Sequence, residues 1–346
     1  MAKIYYDGTK LRNMKDQNGN RPEIYITCGN KTAGKTYDWK CELLRDFIEN
    51  GNKFMLIYRK MYEISGCENA FYEDIQDEFP GHEVNSSSEG HGLYKVLYLD
   101  GEEMAFAVYL NSTDTLKRAS SRFVSVQSMF FDEFQSETEN YVDKEIDKFQ
   151  ALHTLVARGH GKQTRYVRTI LVSNTVSLLN PYFVAFGIHK RIDNKTRFMR
   201  GKGWVLEITY NENARKAAEE SAFNQAFGES KHFQYAYGNK YLLDTDTFIQ
   251  KLNPSTMSYQ ATIASEGKFY GIHLDKANNI LYCSTRGDRN HPFTFAMTAA
   301  DHTNKTIMVG TNQYLLQQWR IFFNMGYWRF ENLECKNVLF DLLCRR

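Results

Sequence analysis

Apolar residues along this chain gather in short runs that alternate with longer, helically spaced segments. The run EIYITCG (23–29) predicts a buried strand, and KTYDWKCELLRDFIENG (35–51) a helix ended by a glycine. KFMLIYRK (53–60) predicts a second strand and ENAFYEDIQDEF (68–79) a second helix before Pro80. LYKVLYLDGEEMAFAVYL (93–110) splits at Asp100-Gly101, a hairpin turn signal. VSVQSMFFDEF (124–134) and YVRTILVSN (166–174) predict strands on either side of a helix, KEIDKFQALHTLVAR (144–158). Strands alternating with helices predict an α/β fold with a mainly parallel sheet.

The pattern changes near residue 190. HKRIDNKTRFMRGKG (189–203) carries six Lys/Arg against one Asp, and ARKAAEESAFNQAF (214–227) reads as a short helical segment. Short strands and turns follow in HFQYAYGNKYLL, ATIASEGKFYGIHLD and NNILYCSTRGDRN. Two helical patterns close the chain, TNQYLLQQWRIFFNMG and ENLECKNVLFDLLCRR. The expected division is a first domain over 1–195, a partly helical linker over 196–234 and a small α+β domain over 235–346.

Composition narrows the function. With 346 residues, 42% of them hydrophobic, the chain can bury two cores. A net charge of +2 means that any nucleic-acid contact must come from local patches. Six cysteines without a C-x-x-C pair speak against a zinc framework and fit a reducing compartment. No apolar run reaches the roughly 18 residues of a membrane span, and MAKIYYDGTK lacks a signal-peptide core. A soluble intracellular protein is expected.

The sharpest motif joins the first strand to the first helix. Gly29-Asn30-Lys31-Thr32-Ala33-Gly34-Lys35-Thr36 matches G-x-x-x-x-G-K-[ST] in full, with Tyr37 next. The glycines let backbone N–H groups face phosphates, Lys35 neutralises the β/γ-phosphates, and the Thr36 hydroxyl reaches Mg²⁺. The helix aims its positive end at the same anion. Lys31 lies beside the phosphates. A P-loop also requires an apolar strand ending in an acid, and MFFDEF supplies Asp132 for the metal and Glu133 to polarise the attacking water. ATP and Mg²⁺ are the expected substrate and cofactor.

GNKTAGKTY, FMLIYRK, FFDEF and ILVSNTVSLLNPYF follow one another in an order and spacing that resembles the genome-packaging (encapsidation) ATPases of small podophages with protein-primed DNA, terminase-like ASCE ring motors. YGIHLDKANNILYCST and NMGYWRFEN extend the resemblance, more weakly, to the C-terminal part. It implies a P-loop ASCE ATPase domain followed by an RNase H-like domain that has lost its nuclease chemistry. It makes Ser173 and Asn174 the coupling motif that senses the γ-phosphate. Arg158 becomes an arginine finger reaching the neighbouring subunit. The segment ARGHGKQTRYVR is longer than the family's, which leaves Arg165 as the other choice. Lys117 and Arg118 are further trans-acting candidates, and Arg59 contacts the site in cis.

The implied partners are double-stranded DNA, a homo-oligomeric ring (a pentamer by resemblance) and the portal of the procapsid. A structural packaging RNA is left open, and no membrane is involved. The setting is the host cytoplasm and, transiently, the procapsid. DNA-contact candidates are Lys60 in YRKMY (58–62) and Lys190, Arg191, Lys195, Arg197, Arg200 and Lys202 in the basic run. Asp275, Asp288 and Asp301 form no convincing two-metal set. An active metal-dependent nuclease and a nucleotide-gated DNA-binding replication factor stand as the alternatives. Lys35→Ala is expected to abolish ATP hydrolysis, measured as phosphate release, while circular dichroism shows an unchanged fold.

Overall fold

The computed structural model describes residues 5–138, 140–158, 163–178, 180–192, 196–227 and 248–344. The chain divides into two compact units, Met1–Asp244 and Thr245–Arg346. The strands of the first are β1 (Ile24–Gly29), β2 (Lys53–Tyr58), β3 (Val84–Glu89), β4 (Tyr94–Leu99), β5 (Glu102–Tyr109), β6 (Val126–Asp132), β7 (Arg168–Asn174), β8 (Phe198–Gly201) and β9 (Trp204–Thr209). They form one nine-stranded sheet in the order β3-β4-β5-β2-β6-β7-β1-β9-β8. Pairing is parallel from β5 through to β9, and antiparallel strands close both edges.

The buried strands read as near-continuous apolar runs because helices cover the sheet. Trp39, Leu43, Leu44 and Phe47 of the helix Lys35–Asn50 pack into the same core as Tyr25, Phe54, Leu56, Phe130 and Ile170 from the strands. This helix ends at Gly51, whose left-handed backbone returns an N–H to Phe47 O. Asp100 and Gly101 both have positive φ, 52° and 83°, as the tight β4–β5 hairpin needs.

Three sequence expectations need correction. The stretch 196–234 is not simply a linker: β8 and β9 fall inside it and complete the sheet, with every residue of β9 buried. The helix expected over 68–79 stops early, as Cys67–Tyr72, and the chain turns to put Ile75 in the core before a short Gln76–Glu78 turn. The helix expected over 214–227 is two, Glu212–Glu220 and Ala222–Phe227, divided at Ser221. Serine competes with helical hydrogen bonds through its own side chain and favours such a break.

The second unit holds β10 (Ser258–Ser265), β11 (Lys268–Asp275), β12 (Ile280–Ser284), β13 (Thr294–Ala296), β14 (Ile307–Met308) and β15 (Trp328–Phe330). Their order is β14-β13-β10-β11-β12-β15. An antiparallel meander, β10-β11-β12, is extended from its first strand by parallel β13 and β14 and from its last by parallel β15. The helices Gln313–Asn324 and Leu333–Cys344 supply Leu316, Trp319, Val338 and Leu339 to its core. HFQYAYGNKYLL lies outside the described residues.

The pairing of β1 with β9 leaves no room at Gly29. A Cβ there would stand 2.3 Å from Thr209 O. Gly29→Ala is expected to destabilise the first unit by about 1–3 kcal/mol, the usual cost of overpacking, read as a lower urea midpoint.

Candidate functional site

The site forms at the carboxyl ends of β1, β6 and β7. The strand β7 lies between the other two, with Gly29 level with Asn174 and Val172 level with Asp132. The loop 29–34 therefore opens beside the acidic end of β6. Two of its residues adopt left-handed backbone, Thr32 (φ 57°) and Gly34 (φ 92°), which curls the loop before the helix begins at Lys35. A cavity of about 480 Å³ lies over this edge, lined by Gly34, Lys35, Thr36, Asp132, Glu133 and Asn174 among others.

Lys35 is buried, and its Nζ donates to Asn30 O at 2.6 Å and to Asn174 Oδ1 at 3.4 Å. Burial pushes its pKa down to about 8, partly offset by Cys28 and Asp132. Thr36 Oγ1 donates to Asp132 Oδ1 at 3.1 Å. Desolvation first, and the neighbouring Glu133 charge second, push the Asp132 carboxyl up to about 6. These two oxygens form a hard-donor pair, which fits Mg²⁺ rather than a softer ion. A divalent cation held there would reverse the shift at Asp132.

Glu133 has an exposed side chain on a left-handed backbone (φ 53°). Its conformation is held from two sides. Its N–H donates to Asp132 Oδ1 at 3.0 Å, and its carbonyl accepts from Arg59 Nη1 at 2.7 Å. Arg59 lines a second cavity, of about 330 Å³, with Lys31, Glu133 and Asn174, and its guanidinium also bonds Phe134 O and both oxygens of Glu145. It lies 5.0 Å from the ring centroids of Phe131 and Tyr141. Glu145 is buried and also accepts from Tyr182 OH at 2.9 Å and Val142 N–H at 2.9 Å. Within its own chain Arg59 thus clamps the acidic turn.

The NPYF segment owes its geometry to capping. Asn180 Oδ1 accepts from Phe183 N–H at 2.9 Å, Pro181 starts the helix Pro181–Ala185, and Tyr182 reaches Glu145. Ser173 is buried, with its Oγ 3.5 Å from Cys28 Sγ, while Asn174 faces Lys35. Lys31 pairs with Glu137 at 2.8 Å, and both line the cavity that holds Arg59. Asn30 exchanges two hydrogen bonds with the Asn211 backbone, 3.1 and 3.0 Å. Tyr37 OH donates to Glu78 at 2.9 Å.

Other predicted residues lie elsewhere. Arg158 is exposed just past the helix Glu145–Val156. Arg165 Nη2 bonds both Val126 O (2.5 Å) and Val156 O (3.0 Å), which puts the end of that helix at the start of β6. The length of β6 then separates Arg158 from Asp132, about 20 Å at ~3.3 Å per residue. Arg165 itself is tied to these two carbonyls. Lys117 is exposed and paired with Asp114 at 2.7 Å, and Arg118 is exposed on the same turn. Lys60 is half-buried beside exposed Met61 and Tyr62. Arg197, Arg200 and Lys202 are exposed on and around the edge strand β8, and Arg191 Nη2 bonds Arg200 O at 2.8 Å. Lys195 and the Lys190 side chain lie outside the described residues.

The model of the podovirus DNA encapsidation protein (Gp16) family matches residues 3–346. The chain belongs to that family. This Gp16-family chain is 27% identical over 324 residues to a DNA packaging protein of Bacillus phage B103, covering 92% of this chain and 96% of that one. It is 25% identical to a DNA packaging protein of Bacillus phage phi29, covering 92% of each. Among solved structures, the phi29 viral genome packaging motor assembly superposes with a TM-score of 0.64 at 23% identity over 98% of both chains, a likeness of fold. The N-terminal domain of the phi29 DNA packaging ATPase superposes with a TM-score of 0.50 at 26% identity, covering 61% of this chain and 98% of that domain.

Sequence reasoning missed Glu145 and Gln135 as partners of the acidic turn. Removing one member of a buried ion pair leaves the other charge unpaired. Glu145→Ala in this Gp16-family chain is expected to cost about 3–5 kcal/mol, measured by chemical denaturation. The double change to Glu145→Met with Arg59→Met should cost less than the two single changes summed.

Proposed function

We propose that this chain is an ATPase subunit that drives double-stranded DNA into a preformed procapsid. The observation that carries the reading is the meeting of Lys35, the Thr36–Asp132 pair and Glu133 at one sheet edge, in a chain whose relatives are named DNA packaging proteins. Lys35 and the loop N–H groups take the phosphates. Thr36 and Asp132 would hold Mg²⁺, which offsets the negative charge on the β/γ-phosphate oxygens. Glu133 orients and polarises water for attack. Asn174 reports the γ-phosphate through its contact with Lys35.

Hydrolysis in this reading is shared between subunits of a ring, for which five is the family's number. The separation of Arg158 from its own Asp132 supports supply of the finger in trans. Lys117 and Arg118 are exposed and available to a neighbour. DNA contacts go to phosphates, from Lys60 and from Arg191, Arg197, Arg200 and Lys202 along the β8 edge. The portal of the procapsid, and a structural RNA where one exists, complete the assembly.

The second unit serves as a non-cutting domain. Asp275 caps the β11–β12 turn, accepting from Ala277 and Asn278. Asp288 closes its own loop onto Asn290, and Asp301 accepts from Gly267 and Thr298. Each carboxylate is committed to a different turn, which speaks against a shared two-metal site.

Wild-type protein with procapsids, DNA and ATP is expected to yield nuclease-protected DNA; its absence would sink the packaging reading. Glu133→Gln should slow turnover by roughly 10²–10⁴-fold. Arg158→Ala should slow it by about 10³-fold or more. Mixing the two should restore turnover where an intact Glu133 meets an intact Arg158. If wild-type dopants rescue the rings but no mixture of the variants does, Arg158 does not act across the interface.

A further inference from the structure

Directly after the acidic turn stands Gln135, 2% exposed. Its side chain reaches into two other parts of the site. Gln135 Oε1 accepts the N–H groups of Val176 and Ser177, both at 3.1 Å, in the segment that leaves β7 after Ser173 and Asn174. Gln135 Nε2 donates to Cys28 Sγ at 3.3 Å, the residue before the first glycine of the phosphate loop. Cys28 in turn stands 3.5 Å from Ser173 Oγ, and Thr175 N–H bonds Gly29 O at 3.2 Å. One buried amide thus touches the end of β1, the turn after β6 and the segment after β7.

An apolar side chain would fill the same volume without a desolvated amide, but it would orphan two backbone N–H groups. The amide fixes the spacing between the segment that senses phosphate and the turn that carries Glu133. Glu133 lies two residues before it on left-handed backbone, held on its other flank by Arg59. A turn anchored on both flanks cannot rotate without moving the β7 segment.

We propose that Gln135 is a positioning residue: it ties the segment after Asn174 to the acidic turn, so that Glu133 is set for attack only in register with the phosphate-sensing strand. This rests on the ATPase reading above. Gln135 does not line the cavity over the phosphate loop, so its loss should alter turnover rather than nucleotide binding. Misplacement of a reacting group by about 1 Å costs up to about 10²-fold.

The test uses the full chain assembled on procapsids, with MgATP as the probe. Gln135→Met, close in size but without an acceptor, should lower kcat roughly 10- to 100-fold and leave KM for ATP within about threefold. Gln135→Glu keeps an acceptor for both N–H groups and should recover most of the turnover. If Gln135→Met does not fold, Gln135→Asn, the same amide one methylene shorter, takes its place with the same expected split. A folded Met or Asn variant with wild-type kcat overturns the proposal. So does a parallel loss of kcat, KM and melting temperature in both the Met and the Glu variants, which marks ordinary core packing. If Lys35→Ala is inactive while Gln135→Met is normal, only this inference fails. A wild-type protein without ATP turnover removes the ATPase reading beneath it.

Discussion

The pairing of β7 between β1 and β6 is the constraint on which the site depends. Parallel registry sets Gly29 against Asn174 and Asp132 against Val172, so the loop 29–34, the Ser173-Asn174 end of β7 and the acid end on one edge. Backbone hydrogen bonds bring these groups together, over the length of each strand. A register slip of one residue would turn Asp132 to the other face and separate it from Thr36. The apolar runs of the central strands guard against such a slip, because both faces of the sheet are covered.

Around this frame lies a layer of buried polar groups that shapes the turn after β6. Arg59 comes from the end of β2, Glu145 from the helix after the turn, and Tyr182 from the NPYF segment. They meet among the rings of Phe131, Phe134, Phe149 and Tyr182, which exclude water and strengthen each charged contact. Elements far apart in sequence are thereby committed to one geometry of Glu133. Gln135 extends the same layer to Cys28 and the β7 segment.

Much of this was legible in the chain. The strand–loop–helix around Lys35, the acid-ended strand of Asp132 and the Asp100-Gly101 hairpin each carry a local signal: glycine where φ is positive, an apolar run, a turn pair. The strand β3 gave no such signal, because VNSSSE is a half-exposed edge strand recognised only through its partner β4. The strand β9 did give one, in WVLEIT, but its basic flank drew the whole stretch into a supposed linker. On β8 that flank is a charged sheet edge, where exposed Arg and Lys also discourage pairing with another chain. The carbonyl contacts of Arg59 and Arg165 were illegible for a different reason. A guanidinium can serve a phosphate or a carbonyl equally well, and only the fold decides which lies within reach.

The left-handed backbone at Glu133 has an evolutionary consequence. Positive φ is tolerated best by glycine and asparagine, and a long acidic side chain there carries a conformational cost of about 1–3 kcal/mol. Drift toward thermal robustness would therefore favour losing this carboxylate, the group that the proposed function sets to polarise water. Under the proposed function, selection for turnover acts at this position against the protein's own folding preference. On that proposal, variants in which the turn relaxes fold well and turn over poorly, and are removed for what they fail to do rather than for instability.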